Sequence, residues 1–219
     1  MRIAGKKTIE DWKKIESKLN SQIDENWEEA FKYFDVRIKT RYLDPINLIL
    51  KMKTNTGEGF AVVNLQCSLI ETLESFINGC SSSFNKKKRK NEWKKNKNLV
   101  FKSNKEIFES FFNKRYPFIN YFQKIDGNDF YENVRCSILH EAQTKKDWVI
   151  RKNIIDDKTA FKLEKSSKIL YRDNFQNDLE ILIDNYKKAI INFTDLNEIN
   201  KKELRDNFIL KFNHICNES

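Results

Sequence analysis

Almost nothing in this chain stops a helix. Two prolines and five glycines are spread through 219 residues, and these are the residue types that ordinarily interrupt a 3.6-residue repeat. Long apolar stripes at three- and four-residue steps follow from that. Thr8 with Asp11 opens the first, and Trp12, Ile15, Leu19, Ile23, Trp27, Ala30 and Phe34 continue it as one long amphipathic helix, with a break expected at Asn20-Ser21. Asp44-Pro45 reads as an N-cap followed by proline at the first helical position, starting a short helix through Ile46, Ile49 and Leu50. After a turn at 55–59, Val62, Leu65, Leu69, Leu73 and Phe76 form a second strong stripe, closed by Gly79 as a left-handed C-cap. Glu71 and Glu74 lie on that helix and are expected to be solvated, a role for either in orienting a site being the alternative. Ser103 with Glu106 caps a further helix carrying Ile107, Phe108, Phe111 and Phe112.

The helical period fails between Trp148 and Leu170. Short apolar groups separated by polar residues there suggest a small β-hairpin or loop insertion. Periodicity then returns in Phe175, Leu179, Leu182, Tyr186, Ala189 and Phe193, with Asp173 or Asn174 as the cap. A last helix runs through Ile199, Leu204, Phe208, Phe212 and Ile215. The length fits one domain, 1–219, with a basic loop at 80–98 and the insertion at 148–170.

A formal charge of +9 points to a polyanionic partner, and nucleic acid is the economical choice because phosphate contacts by Lys and Arg supply most sequence-independent affinity. A lysine-rich composition inherited from an A/T-rich genome is the competing explanation. The charge peaks at Lys86, Lys87, Lys88, Arg89 and Lys90, with Lys94, Lys95 and Lys97 following around Trp93. Such a run repels itself and cannot be buried. It reads either as an RNA-backbone grip, with Trp93 stacking on a base, or as a solvated linker. Cys67, Cys80, Cys136 and Cys216 form no Cys-x-x-Cys pair, so neither a zinc site nor a cofactor is expected. No apolar run approaches a membrane span and the N-terminal residues lack a secretory core, which together lead us to expect a cytoplasmic protein.

The chemistry concentrates in Asn128-Asp-Phe-Tyr-Glu-Asn-Val-Arg-Cys-Ser-Ile-Leu-His-Glu-Ala-Gln-Thr144. Asp129 with Glu132 matches an N-cap and its reciprocal partner. Phe130, Val134 and Ile138 supply one apolar stripe, which leaves Arg135, His140 and Glu141 off it. Histidine can exchange a proton near neutrality, and arginine matches phosphate oxygens with a two-pronged donor set. An ideal helix offsets Arg135 and His140 by about 140°, so within one straight helix they do not converge.

This stretch resembles the Arg-x(4–6)-His helix of the HEPN superfamily, a group of α-helical domains that includes metal-independent ribonucleases. The resemblance is specific over roughly residues 128–148 and architectural elsewhere. It implies an all-α, HEPN-like helical bundle that pairs as a homodimer, each chain giving Arg135 and His140 to a shared cleft. In the implied reaction His140 takes the proton of a ribose 2′-hydroxyl, Arg135 stabilises the phosphorane, and the product is a 2′,3′-cyclic phosphate. Ser137, Glu141 and Glu71 are the candidate supporting residues. Convergence of Arg135 with His140 would come from the two-fold or from a distortion of the helix near Glu141. A toxin or antiviral defence effector restrained by an antitoxin or regulatory partner is the implied role. One departure is Cys136, where the family often carries Asn, Asp or His after the arginine. The alternative is therefore an inactive RNA-binding or protein-interaction module within a defence or toxin–antitoxin complex.

Overall fold

The computed structural model describes residues 1–52, 56–80, 101, 103–121, 125–153 and 158–217. The chain is mainly α-helical, with small β-sheets, and packs as two units.

The first unit takes residues 1–43, 72–102 and 183–219. It opens with a hairpin of β1 (Arg2–Ala4) and β2 (Lys7–Thr8), followed by α1 (Ile9–Glu16) and α2 (Trp27–Ile38). Neither strand is long enough to show a period-2 pattern, and this hairpin lies outside 148–170, where the sequence pointed to strand. Thr8 and Asp11 form the expected capping box. The single long first helix is divided, because residues 17–26 leave the helical conformation. Asn20 Oδ1 accepts the Gln22 N–H, a local bond that competes with the helix ladder, and Asn26 is left-handed. The core is aromatic: Trp12 stacks on Phe212 at 4.4 Å, and Phe34 meets Phe76 at 4.9 Å. Arg205 is fully buried and donates to the Ile190 and Ile191 carbonyls and to Asp24, so it satisfies helix-end acceptors that would otherwise be orphaned.

The helical run from Trp27 does not stop at Asp44. It passes through a π-helical stretch, Lys39–Leu43, into α3 (Asp44–Lys51). Pro45 is therefore interior and does not start a new helix. Its missing N–H and its clash with the carbonyl four residues back are accommodated where the helix is already widened.

The second unit takes residues 44–71 and 103–182. It contains α3, α4 (Glu58–Ile77) as far as Glu71, α5 (Asn104–Lys114) with its Ser103 cap as expected, and a helical run over 127–141. Three strands follow: β3 (Trp148–Arg151), β4 (Phe161–Leu163) and β5 (Lys168–Tyr171). The expected hairpin is a three-stranded mixed sheet of order β3-β5-β4, with β3 parallel and β4 antiparallel to β5. α8 (Arg172–Ile191) belongs to this unit as far as Leu182, while its remainder and the last helix, α9 (Lys201–Asn217), belong to the first. Asp173 and Asn174 lie inside α8 and do not cap it, while Phe193 falls beyond its end with φ 51°. Phe112, Phe130, Phe161 and Phe175 form the centre of this unit's core, with ring spacings of 5.0 to 6.1 Å around Phe130.

Among the described residues one helix, α4, is long and apolar enough to cross a membrane, so an apolar run does approach that length. Its apolar side chains, including Val62, Leu69, Leu73 and Phe76, are buried within the protein.

Candidate active site

The helix carrying Arg135 starts at Gly127, and its N-cap is Asp126, whose carboxylate accepts the Asn128 N–H at 2.8 Å. Asp129 was the expected cap. Its oxygens instead accept from the Trp148 indole at 2.9 Å, Lys168 Nζ at 2.7 Å and Asn133 Nδ2 at 2.9 Å. Burial opposes the Asp129 charge, but these donors outweigh it and hold the carboxyl below its ordinary range. Asp129 thereby ties the helix to β3 and β5. Gly127 permits a close approach to α5: a Cβ there would lie 2.6 Å from the Phe108 carbonyl oxygen and 2.8 Å from the Glu109 backbone.

After one α-helical turn, α6 (Gly127–Phe130), the helix widens into a π-helical stretch, Tyr131–Cys136, before α7 (Ser137–Glu141) closes it. The distortion expected near Glu141 lies here instead, immediately before and around Arg135. Phe130, Val134 and Ile138 are buried, as the stripe requires. Ser137 is also buried, and its hydroxyl donates to the Glu132 carbonyl at 3.0 Å. It braces the wide turn. Ala142 ends the helix in the left-handed region.

Arg135 Nε donates to Glu71 Oε1 at 2.8 Å, the two side chains being 17% and 26% exposed. Glu71 is thus half-buried and paired where solvation was expected. Glu74, of the first unit, is fully buried and accepts from Asn78. Burial works against the Arg135 charge, yet the Glu71 carboxylate more than offsets it and the guanidinium is held more firmly protonated than usual. Its Cζ lies 5.8 Å from the Tyr131 ring. Burial, and then a hydrogen bond with Cys136, pushes the Tyr131 phenol up to about 12. Cys67, one turn before Glu71 on α4, is fully enclosed, and burial raises its thiol far above the range in which a thiolate could act. Among the described residues only Nε of Arg135 has a hydrogen-bond partner, so its Nη1 and Nη2 remain available to an oxyanion.

His140 and its neighbour Leu139 are exposed. Glu141 is bound to Lys145 and Gln143. Within one chain Arg135 is paired with Glu71, and His140 is exposed to solvent. Tyr131 and Cys67 were missed by sequence reasoning; the four-residue steps Tyr131 to Arg135 and Cys67 to Glu71 were the available signal. Lys86, Lys87, Lys88, Arg89, Lys90 and Trp93 lie outside the described residues. Among the described residues no group of three or more His, Cys, Asp or Glu is arranged to hold a metal ion, and Cys67, Cys80, Cys136 and Cys216 are free thiols.

No family model, no curated protein and no solved structure matches this chain.

Proposed function

We propose that the protein is a metal-independent RNA endonuclease of HEPN type, acting as a toxin or antiviral effector, with Arg135 and His140 in the reacting site. The observation that carries this reading is the state of Arg135. Its guanidinium is fixed through Nε by Glu71 on a π-helical stretch, with both terminal nitrogens uncommitted among the described residues, and single-turn π distortions within α-helices often occur at functional sites. A phosphodiester oxygen pair fits those nitrogens. His140 acts as the general base on the ribose 2′-hydroxyl: the O–H proton passes to the imidazole, the oxygen attacks phosphorus, and the 5′-oxygen leaves as a 2′,3′-cyclic phosphate forms. Arg135 stabilises the charge gathering on the equatorial oxygens.

Because His140 is exposed while Arg135 is paired with Glu71, the reading puts the second half of each site on another copy of the chain. An isologous pair would set His140 of one protomer against Arg135 of its partner. Exposed Leu139, 50% accessible beside His140, suits such an interface. Incubation of the purified protein with RNA in the presence of a metal chelator tests the reading, with sedimentation reporting the oligomer.

A second reading has its own support. Glu71 already neutralises Arg135, and Cys136 follows the arginine. An inactive member that binds RNA or another protein would carry that arrangement without loss. RNA bound but left intact by the dimer would favour it.

A further inference from the structure

In the first unit the β1–β2 hairpin turns at Gly5-Lys6 and lies close against α2. Gly5 has φ +56°, and a Cβ there would stand 2.8 Å from Val36 Cγ1, so glycine is needed both for the turn and for the approach. In the same unit a groove of about 460 Å³ is lined by Lys6, Lys7, Asp11, Lys14, Lys18, Glu29 and Tyr33. The volume falls in the range of small-ligand sites. Lys14 and Lys18 are four apart along one side, and Lys7 Nζ is held 4.2 Å from the centre of the Tyr33 ring. Four ammonium groups face two carboxylates. One of these, Asp11, is already occupied by the Thr8 N–H and hydroxyl.

Tyr33 supplies the second observation. It is 2% exposed, packed edge-on against Trp12 at 5.5 Å and Phe212 at 6.4 Å. Among the described residues no protein group bonds its hydroxyl, which is the part of this otherwise enclosed side chain that solvent reaches, and Tyr33 lines the groove. Burial, helped by Asp11 and Glu29, raises its pKa, so the hydroxyl stays a donor at neutral pH.

We propose that this groove binds a phosphoryl group, with the Tyr33 hydroxyl donating to one oxygen and Lys7, Lys14 and Lys18 balancing the charge. The group belongs either to a free nucleoside phosphate or to the backbone of an RNA strand. The inference does not depend on RNA cleavage, because it concerns binding in the other unit and its first probe has no ribose.

The test is calorimetric titration of the intact protein with inorganic pyrophosphate at two salt concentrations. We expect binding at about 1 mM or tighter, weakening as salt rises. Tyr33→Phe keeps the ring packing and removes the donor, and should weaken binding about tenfold, as expected for a hydrogen bond to a charged group. Lys14→Gln with Lys18→Gln should weaken binding and flatten its salt dependence, with thermal melting showing both variants folded. A single-stranded oligoribonucleotide that displaces pyrophosphate would identify the backbone as the source; binding of adenosine monophosphate without such displacement would identify a free nucleotide. Absence of pyrophosphate binding overturns the proposal. So does equal binding by wild type, Tyr33→Phe and the double lysine variant.

Discussion

Arg135 Nε and Glu71 Oε1 are 2.8 Å apart, although 64 residues separate them in sequence. The pair is half-buried, so it should be worth more than an exposed ion pair and less than a fully enclosed one, about 1 to 2 kcal/mol. Glu71→Ala should lower stability by that amount in urea unfolding. If Glu71 positions Arg135 for the proposed reaction, cleavage should fall about tenfold, less than on removing Arg135 itself. Glu71→Gln keeps an acceptor and should recover part of both losses. Unchanged cleavage by Glu71→Ala would remove the positioning role.

Asp178 gives the protein a pH dependence of opposite sign to most carboxylates. Burial lifts its carboxyl to about 6, against a hydrogen bond from Tyr121 that works the other way. The folded state therefore keeps the proton where the unfolded chain has lost it, and stability falls as pH rises from about 4 to 6. Asp178→Asn preserves the acceptor for Tyr121 and abolishes the titration. It should be more stable than wild type at pH 7, by up to about 3 kcal/mol, with no gain at pH 4. Glu58 behaves in the ordinary sense: its hydrogen bond from Arg172 holds it down to about 2, so its contribution is present above the normal carboxylate range and is lost as pH falls toward 2. Denaturant titrations of wild type and Asp178→Asn across pH 3 to 8 separate the two.

Gly127→Ala should be costly for a packing reason. The added methyl meets backbone atoms of Phe108 and Glu109 at 2.6 and 2.8 Å, and backbone cannot swing aside as a side-chain tip can. We expect a loss of about 3 kcal/mol, the upper end for overpacking. A thermal melt within experimental error of wild type would contradict the close packing of this helix start on α5.

Much of this was legible locally. The Thr8–Asp11 box, the Ser103 cap, the left-handed Gly79 and the Phe130, Val134, Ile138 stripe depend on neighbours within one or two turns. What failed depends on distant partners. Asp129 and Glu132 have the spacing of a cap, but Asp129 is drawn to Trp148 and Lys168, 19 and 39 residues on, and Asp126 takes the cap one turn earlier. Glu71 could be placed off the apolar stripe from spacing, yet nothing within its own helix shows that Arg135 faces it. The wide turn at Tyr131–Cys136 contains neither proline nor glycine, the residues that announce a helix irregularity. It is braced by Ser137, a bond from hydroxyl to carbonyl across five residues that no apolar period records.

The most direct test of the proposed function compares wild type, His140→Ala and Arg135→Ala on the same RNA in a metal chelator, with the product ends analysed. General base catalysis alone contributes about 10²- to 10⁴-fold, so loss of either residue should remove most of the rate while the fold is kept. The account predicts that wild type leaves 2′,3′-cyclic phosphate ends in chelator and that neither variant does. Cleavage by His140→Ala at the wild-type rate, or wild-type activity that vanishes in chelator, would contradict it.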